Sequence, residues 1–223
     1  MGAFAMIDPN FDFDQIIFKG EISQYLDYLE TLDEFLDTEN QKHKASLQKL
    51  EYKGRDIYSD DGQPSDEAGY DLYIIDRFQS FSAMLRSSFF VNIYSFFEIK
   101  LIEECSLRKS EEIQLSLSEL AGQDNIDKAN IYFKKVLKLD FPSNTPEWEE
   151  IQNYQLLRNC IVHCQGRLDK IKKLDHQKIR AYITRQEHIS LMGDYIDLSK
   201  EFCLEACTTI ESFLQKMLFQ NSK

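Results

Sequence analysis

Only 8 glycines and 4 prolines punctuate 223 residues, less than half of their usual combined share of roughly 12%. That deficit constrains the fold more than any other feature of the chain. A β-sandwich or barrel reverses the backbone at short intervals, and glycine and proline make most of those turns. Long helices need few of them. With 43% apolar residues, including 16 Phe and 11 Tyr, the chain also has enough to bury. The expectation is an all-α helical bundle with an aromatic core.

Periodicity places the helices. Ile22, Tyr25, Leu26, Leu29, Leu32 and Leu36 recur at spacings of three and four, which predicts one long helix over 21–53. Gly54 and the acidic, proline-containing stretch up to residue 68 read as a loop. Residues 1–68 hold 16 acids and 6 bases. They read as an acidic helical extension, either packed on the rest of the chain or mobile, with residues 69–223 as the main domain. Within 70–108, Phe89, Ile93 and Phe96 form one stripe, and Phe90, Tyr94, Phe97 and Leu101 form a second. A helix apolar on two sides is buried on two sides, as the central helix of a bundle. Glu98 rises from that apolar surround and needs a cation, a hydrogen-bond donor or a proton.

A shorter helix is expected over 124–139. Thr145 and Pro146 suit the N-cap and first turn of a helix over 146–164, with Gly166 as its C-cap. The β-branched and aromatic residues around Met192-Gly193-Asp194 suggest a short β-hairpin. Ser199 then caps a last helix reaching residue 219.

The candidate chemistry lies in Leu157-Arg158-Asn159-Cys160-Ile161-Val162-His163-Cys164. At about 100° per residue, Leu157, Cys160, Ile161 and Cys164 make an apolar face. Gln155, Arg158, Asn159, Val162 and His163 make the other, although Arg158 lies about 140° from His163 and meets it only by reaching back with its long side chain. A helix C-terminus favours protonated imidazole, so His163 is placed to give or take a proton. Arg158 offers a planar fork to a phosphate. Asn159 can fix the imidazole tautomer or bond a phosphate oxygen. The trio can hold a phosphodiester and move protons without a metal. The plainer alternative is that Arg158 pairs with Glu98 while His163 only caps the helix.

An Arg followed by Asn and, five residues after the Arg, by His, with Gly166 soon after, resembles the R-x(4–6)-H motif of the HEPN superfamily. The segment Asn92-Ile-Tyr-Ser-Phe-Phe-Glu98 is similar to the aromatic-aromatic-Glu segment of many prokaryotic members. The resemblance covers roughly 70–219 and leaves 1–68 unexplained. It implies a helical bundle that dimerises so that two motifs meet in a cleft. It also implies a metal-independent endoribonuclease of toxin–antitoxin or phage-defence systems, leaving a 2′,3′-cyclic phosphate. Carried over, Arg158 would hold the scissile phosphate, His163 would be the acid/base, Asn159 would orient, and Glu98 would steady Arg158. Other members are non-catalytic nucleotide- or protein-binding modules. Members paired with a nucleotidyltransferase antitoxin typically carry Tyr two residues after the His; Gln165 stands there instead, a departure that bears against regulation by modifying that Tyr and against that antitoxin pairing.

Charge bears on the partner. A formal net charge of −12 argues against a general nucleic-acid coat. Yet 158–188 hold eight bases and three acids, directly after the motif. Arg167, Lys170, Lys172 and Lys173 are the candidate RNA contacts, and Tyr182 could stack on a base. The alternative is a solvated basic face balancing the acids of 1–68. Five cysteines without a secretory context suggest reduced thiols in a cytoplasm. Cys160 with Cys164, and Cys203 with Cys207, have a spacing zinc could use, but both pairs lie on apolar stripes where buried thiols are ordinary. Phosphate-loop, dinucleotide, zincin and α/β-hydrolase motifs are missing. No cofactor, metal, membrane span or secretory leader is expected.

Overall fold

The long central helix forms as its two stripes require, and each stripe finds a different partner. The structure, a computed structural model, describes residues 13–109, 113, 115–122 and 124–219. The N-terminal stretch that bears on a secretory leader lies almost wholly outside them. Its elements in order are α1 (Phe13–Tyr52), α2 (Gly69–Leu107), α3 (Asn125–Ile131), α4 (Pro146–Cys164), α5 (Lys173–Ile183), β1 (Ile189–Met192), β2 (Tyr195–Leu198) and α6 (Lys200–Phe219). The fold is all-α with one short β-hairpin before the last helix.

The first stripe of α2 meets α1. Phe96 stacks on Phe18 at 6.4 Å between ring centres, and Tyr25 packs against both Phe89 and Phe96. The second stripe meets α4 and α6. Phe90 lies edge-on to Tyr154 at 5.7 Å and against Phe202 at 5.5 Å, while Phe97 lies edge-on to Phe213 at 5.6 Å. Phe141, Trp148 and Phe213 then close one end of the core, each pair within 5.6 Å. Each such pair adds about 0.5–1.5 kcal/mol beyond its buried area. Phe18, Ile22 and Leu29 of α1 belong to the same buried cluster as the other helices, so the inner half of α1 shares the main core. Polar ties reinforce it. Arg86 Nε donates to buried Asp33 at 2.8 Å, and Lys100 pairs with Glu21 at 2.8 Å.

Several local expectations differ from the structure. α1 begins at Phe13 and runs through Gly20, because burying Phe18 and Ile22 outweighs the cost of about 0.5–1 kcal/mol for a mid-helix glycine. The expected helix over 124–139 stops being α-helical at Ile131. It continues as a π-helical turn, Tyr132–Leu137, and ends at left-handed Lys138, φ 55°. α5 has no counterpart among the expected helices. It lacks a side-chain cap, and three buried residues, Ile179, Tyr182 and Ile183, hold it to the body.

The caps flanking α4 fix the ends of the helix that carries Arg158 and His163. Thr145 Oγ1 accepts from Trp148 N at 3.3 Å, with Pro146 in the first turn. At the other end Gln165, φ 54°, takes the left-handed cap position ahead of Gly166, φ 74°. The Gly166 N–H donates back to the Cys160 carbonyl at 3.1 Å. The hairpin then locks this turn, because Ile196 N donates to Gly166 O and Leu168 N to Asp194 O, both at 2.9 Å. Gly193, φ 65°, makes the hairpin turn possible.

Candidate functional site

α4 divides as its spacing predicts. Leu157 and Cys160 are buried, Ile161 and Cys164 are half-buried against the core, and Asn159, Val162 and His163 are exposed. Arg158 sits at the border and leans toward α2. Its Nη2 donates to Glu98 Oε2 at 3.3 Å and its Nη1 to Asn159 Oδ1 at 3.1 Å. The guanidinium carbon lies 5.8 Å from the centre of the Tyr94 ring, close enough for a cation–π contribution. Arg158, Asn159 and Glu98 are thus brought together. His163 is exposed on α4 one helical turn after Asn159. Among the described residues it makes no hydrogen bond or ion pair. It neither bonds Asn159, whose oxygen is taken by Arg158, nor caps the helix, which the Gln165–Gly166 turn does instead.

The electrostatics of this corner come from burial. Desolvation raises the Glu98 carboxyl above the usual range; Arg158 pulls it back down and Asp124 pushes it up. Desolvation raises the Tyr94 phenol far above its ordinary value, with Glu98 and Asp124 adding to the rise. Tyr94 therefore remains a neutral hydroxyl.

Asp124 escaped sequence reasoning. It caps α3, its Oδ1 accepting from Ile126 N at 3.0 Å and Asp127 N at 2.9 Å. Its other oxygen accepts from Gln155 Nε2 on α4. An Asp opening a helix was a readable N-cap signal. Its place beside the Arg158 corner was not readable, because only the packing of α3 on α2 brings it there.

The basic segment is less free than its composition suggests. Arg167 makes a two-pronged contact with Asp169 at 3.0 and 2.7 Å and lies over the Tyr195 ring at 5.4 Å. Lys170 approaches the same carboxylate at 3.6 Å. Lys172 and Lys173 are exposed and, among the described residues, unpaired. Tyr182 corrects the expectation of a stacking surface. It is buried in the core, and its hydroxyl donates to Glu150 at 2.7 Å.

The cysteines are core residues. Cys160, Cys203 and Cys207 are buried, and Cys164 is half-buried. Burial pushes the Cys160 thiol up to about 11 and the Cys203 and Cys207 thiols up to about 12. They are protonated thiols at neutral pH. Among the described residues no three His, Cys, Asp or Glu side chains are grouped as metal ligands. No described helix is long and apolar enough to cross a membrane. Comparison with protein families, curated proteins and solved structures finds no match to this chain.

Proposed function

We propose that the chain is a metal-independent endoribonuclease of the kind its resemblance to HEPN proteins implies, acting in a cytoplasmic toxin–antitoxin or phage-defence system. One observation carries the reading. The C-terminal half of α4 presents Asn159 and His163 to solvent, with Arg158 partly open at the border of that face and His163 without a partner among the described residues. Arg158 holds the scissile phosphate, Asn159 orients it, and Glu98 steadies Arg158 until the RNA binds. The ribose 2′-hydroxyl gives its proton to water as its oxygen attacks the neighbouring phosphorus. The bond from phosphorus to the 5′-oxygen breaks, and that oxygen leaves with a proton supplied by His163. The products carry a 2′,3′-cyclic phosphate and a 5′-hydroxyl. Lys172 and Lys173 add sequence-independent phosphate contacts. The working form is a homodimer with two motifs facing one cleft, controlled by an antitoxin or regulatory protein.

Incubation of the purified protein with RNA in the presence of a chelator tests the reading. Cyclic-phosphate ends are expected. R158A and H163A should lose about 10²–10⁴-fold in rate while staying folded. Intact RNA at every pH, with and without candidate partners, would overturn it. A second reading, a non-catalytic nucleotide- or protein-binding module, is favoured by the occupation of the Arg158 fork by Glu98 and Asn159. It requires binding without turnover, and an H163A protein that keeps its cellular effect.

A further inference from the structure

Two buried donors in the Arg158 corner have no acceptor among the described residues: the Tyr94 hydroxyl and Arg158 Nε. Native cores leave few such groups, because each forfeits its hydration without a replacement. Tyr94 is 1% exposed. The Arg158 guanidinium carbon lies 5.8 Å from the centre of its ring, which places the Tyr94 side chain against the site. It stands one helical turn before Glu98 on α2, where side chains at this spacing are neighbours.

Glu98, for its part, depends on a single donor. It accepts from Arg158 Nη2 at 3.3 Å and, among the described residues, from no other group. If Arg158 turns its fork to a phosphate, Glu98 becomes a half-buried carboxylate without a partner, which is strongly unfavourable. Asp124 cannot help, since it carries no donor and its oxygens are engaged by Ile126, Asp127 and Gln155. Tyr94 carries a neutral donor within one turn of Glu98, whereas the nearer hydroxyl of Ser95 is already spent on the Val91 carbonyl at 2.8 Å.

We propose that Tyr94 is a positioning residue of this site: when a phosphate takes Arg158, the Tyr94 hydroxyl donates to Glu98 in its place. The unpartnered hydroxyl is then one end of an exchange, and the exchange frees the arginine without stranding the carboxylate. This rests on the reading of Arg158 as the phosphate-binding group.

The test measures binding of a fluorescein-labelled single-stranded RNA of mixed sequence, together with thermal melting, for the full chain and its R158A, Y94F, E98Q and Y94F/E98Q variants. Y94F keeps the ring under Arg158 and removes only the hydroxyl. It should melt at or above the wild-type temperature and bind about tenfold more weakly. In the E98Q background, where no charge needs compensation, the same change should have little effect, a coupling that a merely structural role would not produce. Wild-type binding by Y94F, with R158A weakened, would overturn the role of Tyr94 and leave the Arg158 reading standing. R158A binding like wild type would overturn the Arg158 reading itself. A lowered melting temperature for Y94F would show that the hydroxyl is already bonded in the free protein, which also refutes the exchange.

Discussion

Replacing Arg158 with Ala removes the one cation that pairs with Glu98 among the described residues, and the size of the penalty depends on how that pair is buried. A fully buried carboxylate stripped of its partner costs about 3–5 kcal/mol, whereas an exposed ion pair contributes at most about 1 kcal/mol. Here the Arg158 and Glu98 side chains are 25% and 17% exposed, and they share one contact at 3.3 Å. The loss should fall between those limits, about 1–2 kcal/mol at neutral pH. For a chain of this size that lowers Tm by about 2–8 °C. The pH dependence is the sharper part. Burial already raises Glu98, and Arg158 is the neighbour that lowers it. Without Arg158 the carboxyl holds its proton to higher pH. A carboxyl raised in the folded state supports the fold fully below its unfolded pKa, and that support is lost as pH climbs from there through the folded pKa. The gap between wild type and R158A should therefore be small in acid and widen toward neutral pH. Urea unfolding at a series of pH values, with unchanged m-values, measures it. A gap that is constant with pH would refute the argument, because Glu98 would then not be the group left unpaired.

Three further outcomes rest on other interactions. Asp33 is almost fully buried and holds Arg86 Nε at 2.8 Å, so D33A should cost about 3 kcal/mol or more in urea unfolding, above R158A. Lys216 holds the Glu147 carboxyl down to about 2, from an ordinary 4.5. The stability it contributes is present above the ordinary value and lost as pH falls toward about 2, so K216M should weaken the protein at neutral pH and match it in strong acid. Lys172 and Lys173 are unpaired while Arg167 is held by Asp169. The K172A/K173A protein should therefore show a shallower salt dependence of RNA binding, by about 1 for each phosphate no longer neutralised, and R167A a smaller change.

What could be read from the chain alone was what depends on spacing within one element. The two stripes of α2 predicted burial on two sides, and Phe96 and Phe90 do meet different helices. Thr145 and Ser199 cap the helices they precede, the latter accepting from Phe202 N at 3.2 Å. The faces of α4 separate core from solvent as their angles require. Each of these comes from the helical repeat or from a bond between residues three apart, and both are local.

Arg158 and Glu98 could be suspected as partners from their chemistry. Their meeting depends on α4 crossing α2 at the right height, which no spacing within either helix records. Asp124 joins them because α3 packs on α2, and Tyr182 is lost as a surface ring because α5 folds down onto Glu150 of α4. The sequence by itself determined long helices, their buried stripes and the outward Asn159–His163 side of α4 with Arg158 at its border. Only the tertiary structure decided which cations are spent on intramolecular carboxylates, which aromatic rings face water, and which donors are left without an acceptor. Those outcomes depend on distances between elements far apart in the chain, and packing alone sets them.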